Sequence, residues 1–132
     1  MVGYSSAVAL RTYTSVSIET GVAAANPHRL IVMLFDGALL ATARARQAIV
    51  ANDYVGRGQS ISKAIRIIEE GLKAALNDKG SDLTLNLRAL YEYMGCKLLF
   101  ASLKNDLSAV DEVTRLLAEL KDAWNAIEPR QI

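Results

Sequence analysis

From Pro27 onward the chain repeats apolar side chains at steps of three and four, the spacing that lines up one face of an α-helix. Placed 100° apart, Leu30, Leu34, Ala38, Ala41, Ala45 and Ala48 fall within a sector about 80° wide, enough for a core face. Asn26 can accept from the free amides of a first turn. Pro27 suits the first helical position, where its missing N–H leaves nothing unpaired. A first helix is therefore predicted from Pro27 to about Ala51, where Asn52 and Asp53 interrupt the pattern.

Gly56 and Gly58 weaken any helical turn, so the next stripe is placed beyond them, on Ile61, Ile65, Ile68, Leu72 and Ala75. DKGS at 78–81 carries the turn chemistry for a short connection, and Leu83, Leu87, Leu90, Met94 and Ala101 mark a third stripe, broken by KND at 104–106. Ser108 and Asp111 have capping-box spacing with Asp in place of Glu. Val110, Val113, Leu117, Leu120, Trp124 and Ile127 follow at alternating steps of three and four, and this fourth helix must end before Pro129. Four long helices, each with one apolar stripe and a short connection, predict an all-α fold, an antiparallel four-helix bundle over residues 26–128. Residues 1–25 stand outside this pattern. SSAVALRTY suits a helical turn or two, whereas Tyr13, Val16 and Ile18, spaced by Ser and Thr, read as extended; the expectation is an N-terminal flap or short helix on the bundle, or a tail.

The first helix carries more apolar surface than one core face needs. Leu30 to Phe35 are all apolar, and Ala38 to Ala43 add more. Val32, Leu39 and Ala43 fall opposite the core face, Phe35 lies on one shoulder, Met33 and Leu40 lie on the other, and Asp36 sits in the back sector as a lone charge. Two readings follow: the flap and neighbouring helices cover the surplus, or Val32, Met33, Phe35, Leu39, Leu40 and Ala43 form a hydrophobic groove for a partner helix.

Composition narrows the class without choosing the partner. At 132 residues and 52% hydrophobic the chain can bury a single-domain core with no metal or disulfide; aromatics make up only 6%, so Ala, Leu, Ile and Val dominate and favour helix. A net charge of +1, from 15 basic and 14 acidic residues, leaves no footprint for nucleic acid or anionic lipid. The single cysteine, Cys96, excludes an internal disulfide and fits a reducing, cytoplasmic compartment. No uncharged apolar run reaches the ~18 residues of a membrane span, and the first twenty residues lack a signal-peptide pattern, so neither membrane insertion nor cleaved export is expected.

Candidate chemistry is thin. His28, the one histidine, has no Cys or carboxylate at metal-ligand spacing and reads as structural or solvated. Cys96 lies among Met94, Leu98 and Leu99 and reads as a buried, inert thiol, and Trp124 on the fourth stripe reads as core. Glycines are scattered without a phosphate-cradling loop, and Asp36 has no second titrating partner. Tyr91 and Tyr93 point to different sides of the third helix, and Glu69 with Lys73 is an ordinary i,i+4 pair. No cofactor, metal or catalytic residue is expected.

YTSVSIET, then NPHRLIVMLFDGA, SISKAIRIIEEGLKAAL, LRALYEYM, LKND and DAWNAI resemble, in order and spacing and over nearly the whole chain, the flagellin export chaperones of the FliS family. The resemblance implies a cytoplasmic four-helix bundle that binds the C-terminal segment of flagellin, prevents premature polymerisation and assists delivery to the flagellar type III export apparatus. It gives the surplus apolar surface of the first helix an occupant. It also implies that the N-terminal segment covers part of that surface and docks at the export gate; Leu10 and Tyr13 are the matching positions, with Val16 and Ile18 beside them. Two rival classes stand against it: a small all-α enzyme holding an anionic substrate with Arg44, Arg66 and Arg88, and a structural homodimer closed by the same patch, which is also a possible state of the free chaperone.

Overall fold

Asn26 has extended backbone, and its side-chain oxygen accepts from the amides of His28 and Arg29, so helix α1 starts at Pro27 as the capping chemistry requires and runs over Pro27–Val50. Asn52 then takes a left-handed conformation (φ 56°), one that Asn tolerates better than most residues, and turns the chain back. Asp53 caps helix α2, Tyr54–Arg66, accepting from the Gly56 amide at 2.9 Å. The computed structural model describes residues 26–76 and 80–127.

Helix α2 thus begins earlier than the glycines suggested. A Cβ at Gly56 would lie 2.3 Å from Asp53 Oδ2, so glycine here makes room for the carboxylate that nucleates the helix. α2 continues without a break into a π-helical segment, Ile67–Lys73. Within it the adjacent Ile67 and Ile68 are both buried. Gly71 lets this segment approach α1: a Cβ there would meet Leu34 Cδ2 at 2.9 Å. Ala75, the last expected member of the second stripe, lies beyond the segment and is exposed.

Ser81 caps helix α3, Asp82–Lys104, by accepting from the Thr84 amide at 3.1 Å, and Asn105 ends it in the left-handed region (φ 52°, ψ 44°). Helix α4, Leu107–Asn125, is capped by Asp106 and not by Ser108, whose amide and hydroxyl both donate to the Asp106 carboxylate. Asp111 is thereby free of any capping duty and pairs with Arg46 of α1 at 3.2 Å.

α1 packs on α2, the π segment and α4; α3 packs on α2, the π segment and α4. The diagonal pairs, α1 with α3 and α2 with α4, make no close backbone approach among the described residues. The order of contacts around the bundle is therefore the order in sequence, as in an up-and-down bundle. Direction follows from cross-helix pairs: Asp36 meets Lys121 while Arg46 meets Asp111, so α1 and α4 run antiparallel. Arg57 near the start of α2 donates to Asn105 at the end of α3, which sets that pair antiparallel too. The core holds the expected faces of α1 (Leu34, Ala38, Ala41, Ala45, Ala48) and α4 (Val110, Val113, Leu117) with Ile61, Ile68, Leu72, Met94 and Leu98 between them. Leu30, Leu87, Leu90, Leu120 and Trp124 are half-buried, while Leu83 and Ile127, expected on the stripes, are exposed.

Candidate functional site

α3 is apolar on two faces. One, carrying Tyr91, Met94, Leu98 and Ala101, is in the core. The other carries Leu85, Ala89, Glu92, Cys96, Leu99 and Leu103, every one of them exposed. These six recur at steps of four, three, four, three and four, the knob positions of a coiled-coil seam, along about 27 Å of helix. Leu103 keeps 76% of its surface and Leu99 55%, and Phe100 and Tyr93 extend the patch toward α4. An exposed apolar strip of this length and periodicity is the signature of a surface that another helix covers.

Two polar clusters border it. On the α4 side Tyr93 donates to Glu112 at 2.5 Å, Lys97 reaches the same carboxylate at 3.5 Å, and its ammonium lies 5.9 Å from both the Tyr93 and the Phe100 ring centroids. The hydrogen bond from Tyr93 holds the Glu112 carboxyl below the usual range and the Tyr93 phenol above its own. On the α2 side Lys73 bridges Glu69 and Glu92, each at 3.1 Å; both hydrogen bonds, that to Glu69 foremost, raise the Lys73 pKa and keep it charged. The pair Glu69–Lys73 is thus part of a cross-helix network. Gly95 permits it, since a Cβ at that position would lie 3.0 Å from Glu69 Oε1.

Of the six residues expected to line a groove on α1, two, Val32 and Phe35, are taken up by the bundle itself. Val32 and Phe35 retain 4% and 2% of their surface, and Phe35 belongs to the core cluster. The reason is geometric: α2 and α4 pack on two sides of α1, so the buried sector is far wider than one stripe. Leu39 is half-buried against the core and Met33 is half-buried, whereas Leu40 (52% exposed) and Ala43 face outward. Asp36 is not a lone charge, since Lys121 pairs with it. Leu10, Tyr13, Val16 and Ile18 lie outside the described residues.

The remaining chemical candidates resolve into structure. His28 is half-buried and bonded to Trp124, which is half-buried against the core. Cys96 is exposed on the outer α3 seam, correcting the reading of a buried thiol: it lies two residues, about 200°, around the helix from both Met94 and Leu98, on the opposite face. Arg44, Arg66 and Arg88 lie on three different helices, and Arg66 pairs with Glu70. Among the described residues no three His, Cys, Asp or Glu side chains are grouped to hold a metal, and no helix is long and apolar enough to cross a membrane. The outer α3 seam escaped the sequence reading because Glu92 and Cys96 interrupt its hydrophobicity. The alternating step from Leu85 to Leu103 was the signal that would have found it.

Fold and surface together define a class: a small all-α bundle with an exposed apolar seam on one of its helices. The model of the family described as "Flagellar protein FliS" matches residues 9–131. The chain is 47% identical over 122 residues to the flagellar secretion chaperone FliS of Salmonella typhimurium, covering 92% of this chain and 90% of that one. It is 46% identical over 115 residues to the protein of the same name from Escherichia coli, covering 86% and 85% of the two chains. It is also 46% identical over 120 residues to the flagellar secretion chaperone FliSB of Pseudomonas aeruginosa, covering 90% and 94%. The chain belongs to the FliS family of flagellar secretion chaperones and is not an enzyme.

Proposed function

We propose that this protein is a cytoplasmic chaperone for flagellin, binding its C-terminal segment, holding it back from premature polymerisation and assisting its delivery to the type III export gate. The observation that carries this reading is the uncovered heptad seam of α3, which offers Leu85, Leu99, Leu103 and the edge of Phe100 to a helix lacking its filament neighbours. Met33, Leu39, Leu40 and Ala43 on α1 supply a second, smaller strip, continued toward the start of the helix by the buried Val32 and Phe35. In this reading Leu10, Tyr13, Val16 and Ile18 compete with the client for apolar surface and dock at the export gate once displaced. A client segment that folds on binding pays roughly 2–5 kcal/mol for its ordering, which a long apolar contact can offset.

The test is titration calorimetry with a flagellin C-terminal peptide, together with co-purification of flagellin from the same cells. Binding to the native chain that falls at least tenfold in Leu99→Asp with Leu103→Asp, at unchanged melting temperature, supports the reading. Failure of the native chain to bind the peptide refutes it.

A further inference from the structure

Within the α3 seam one position breaks the apolar pattern. Glu92 stands between Ala89 and Cys96, with Leu85 two seam positions before it and Leu99 next after Cys96. It is the only charged residue among the six, and it is held in place: its Oε2 takes the Lys73 ammonium at 3.1 Å, and Lys73 is anchored in turn by Glu69 at 3.1 Å. The Lys73 side chain is 23% exposed and that of Glu92 54%, so the cation lies behind and a carboxylate faces the seam. One ammonium against two carboxylates leaves the cluster net negative. On the opposite border the Lys97 and Glu112 charges cancel.

A single polar residue in an otherwise apolar seam acts on alignment more than on affinity. It costs stability wherever it meets an apolar neighbour, and it recovers that cost in the one alignment that supplies a partner. We propose that Glu92 fixes the register of the helix that docks on α3, selecting a partner helix with apolar residues at alternating steps of three and four and a lysine or arginine at the seam position facing Glu92. This rests on the chaperone reading for the partner's identity, and not for the seam's preference. Leu85 and Leu99 with Leu103 flank Glu92 on either side, so a slide of three or four residues would still bury apolar surface. The carboxylate makes such a slide unfavourable because the partner's cation would leave Glu92 and an apolar residue would cover it.

Synthetic helical peptides of three heptads provide the probe: identical apolar seams with lysine, glutamate or leucine at the central seam position, titrated into the full chain. The lysine peptide is expected to bind at least tenfold tighter than the glutamate peptide. Glu92→Gln should shrink that ratio to threefold or less, and Glu92→Lys should invert it. Cys96, the only thiol, reads the register directly through a short bis-maleimide reaction with peptides carrying one cysteine at successive positions. The native chain should give one reactive position, and Glu92→Leu should give several spaced by three, four or seven. Equal binding of the lysine and glutamate peptides, or a single reactive position surviving Glu92→Leu, overturns the inference. If no peptide binds but flagellin does, the seam is not the docking site and the inference fails while the chaperone reading stands. If the peptides behave as described and flagellin does not bind, the inference stands and the client assignment fails. Melting curves identify any variant that unfolds. Glu92→Gln, which keeps the shape of an exposed side chain, serves as the conservative control.

Discussion

His28 and Trp124, 96 residues apart in the chain, each hold the other's backbone: His28 Nε2 donates to the Trp124 carbonyl at 2.9 Å, and Trp124 Nε1 donates to the His28 carbonyl at 3.0 Å. Their rings stack at 5.0 Å with planes 15° apart. The pair fastens the first turn of α1 to the last turn of α4. Trp124→Phe keeps a ring and removes one donor, so it should cost about 1 kcal/mol. His28→Ala removes the stack as well and should cost about 1–2 kcal/mol. Urea denaturation with an unchanged slope measures both.

Leu98 and Leu99 are neighbours in sequence with opposite duties, one 0% and the other 55% exposed. Leu98→Ala should lower stability by about 2–5 kcal/mol, as core truncations do. Leu99→Ala should leave stability within about 0.5 kcal/mol and weaken client binding. Thermal melting paired with binding titrations separates the two effects.

The sequence carried the helices and the core more clearly than the site. Asn26, the α1 core face and the α4 stripe were legible because local capping and 3.6-residue periodicity decide them. The start of α2 was misplaced because glycine propensity was weighed without Asp53, whose carboxylate occupies the space above Gly56. The π segment left no sign in the periodicity, since Ile61, Ile65, Ile68 and Leu72 keep steps of three and four into it. The sequence points to a groove on α1 because the apolar surplus there is continuous from Leu30 to Phe35. Which surplus stays uncovered is decided by neighbours on both sides, and that is a property of the packing. α1 loses Val32 and Phe35 to those neighbours, while α3 keeps Leu99 and Leu103 exposed.

Two glycines in one helical run should respond oppositely to alanine. At Gly58 an added methyl meets nothing within 4 Å, so Gly58→Ala should stabilise by about 0.5–1 kcal/mol through helix propensity. At Gly71 the methyl meets Leu34 at 2.9 Å in a buried layer, so Gly71→Ala should destabilise by about 1–3 kcal/mol. Differential scanning calorimetry of both variants checks the signs.

Burial pushes the Tyr91 phenol up to about 12. Because the folded value lies above the unfolded one, near 10, the neutral phenol's contribution is fully present below about pH 10 and is lost as pH rises toward 12. The native chain should lose on the order of 2 kcal/mol across that window from this group. Tyr91→Phe should show a correspondingly flatter alkaline decline in denaturation midpoint.

Each helix touches the two that flank it in sequence, and the clasp of His28 on Trp124 closes the circuit by bringing the start of α1 to the end of α4. Topologically the bundle is a loop with no privileged first helix. A chain that began at α4 and joined its end to Asn26 through a short linker would pass through the same contacts in the same cyclic order. Such permutation is tolerated where ends meet at the surface; it would bring the α1–α4 contacts near in sequence and make the α3–α4 contacts, Tyr93 and Lys97 with Glu112 among them, the distant ones. Partners distant in the native order, His28 with Trp124 and Asp36 with Lys121, would become near ones. Closure of the bundle would then fall to the α3–α4 pairs in place of the α1–α4 pairs, so the rearranged chain should form those contacts last while keeping the same seam on α3.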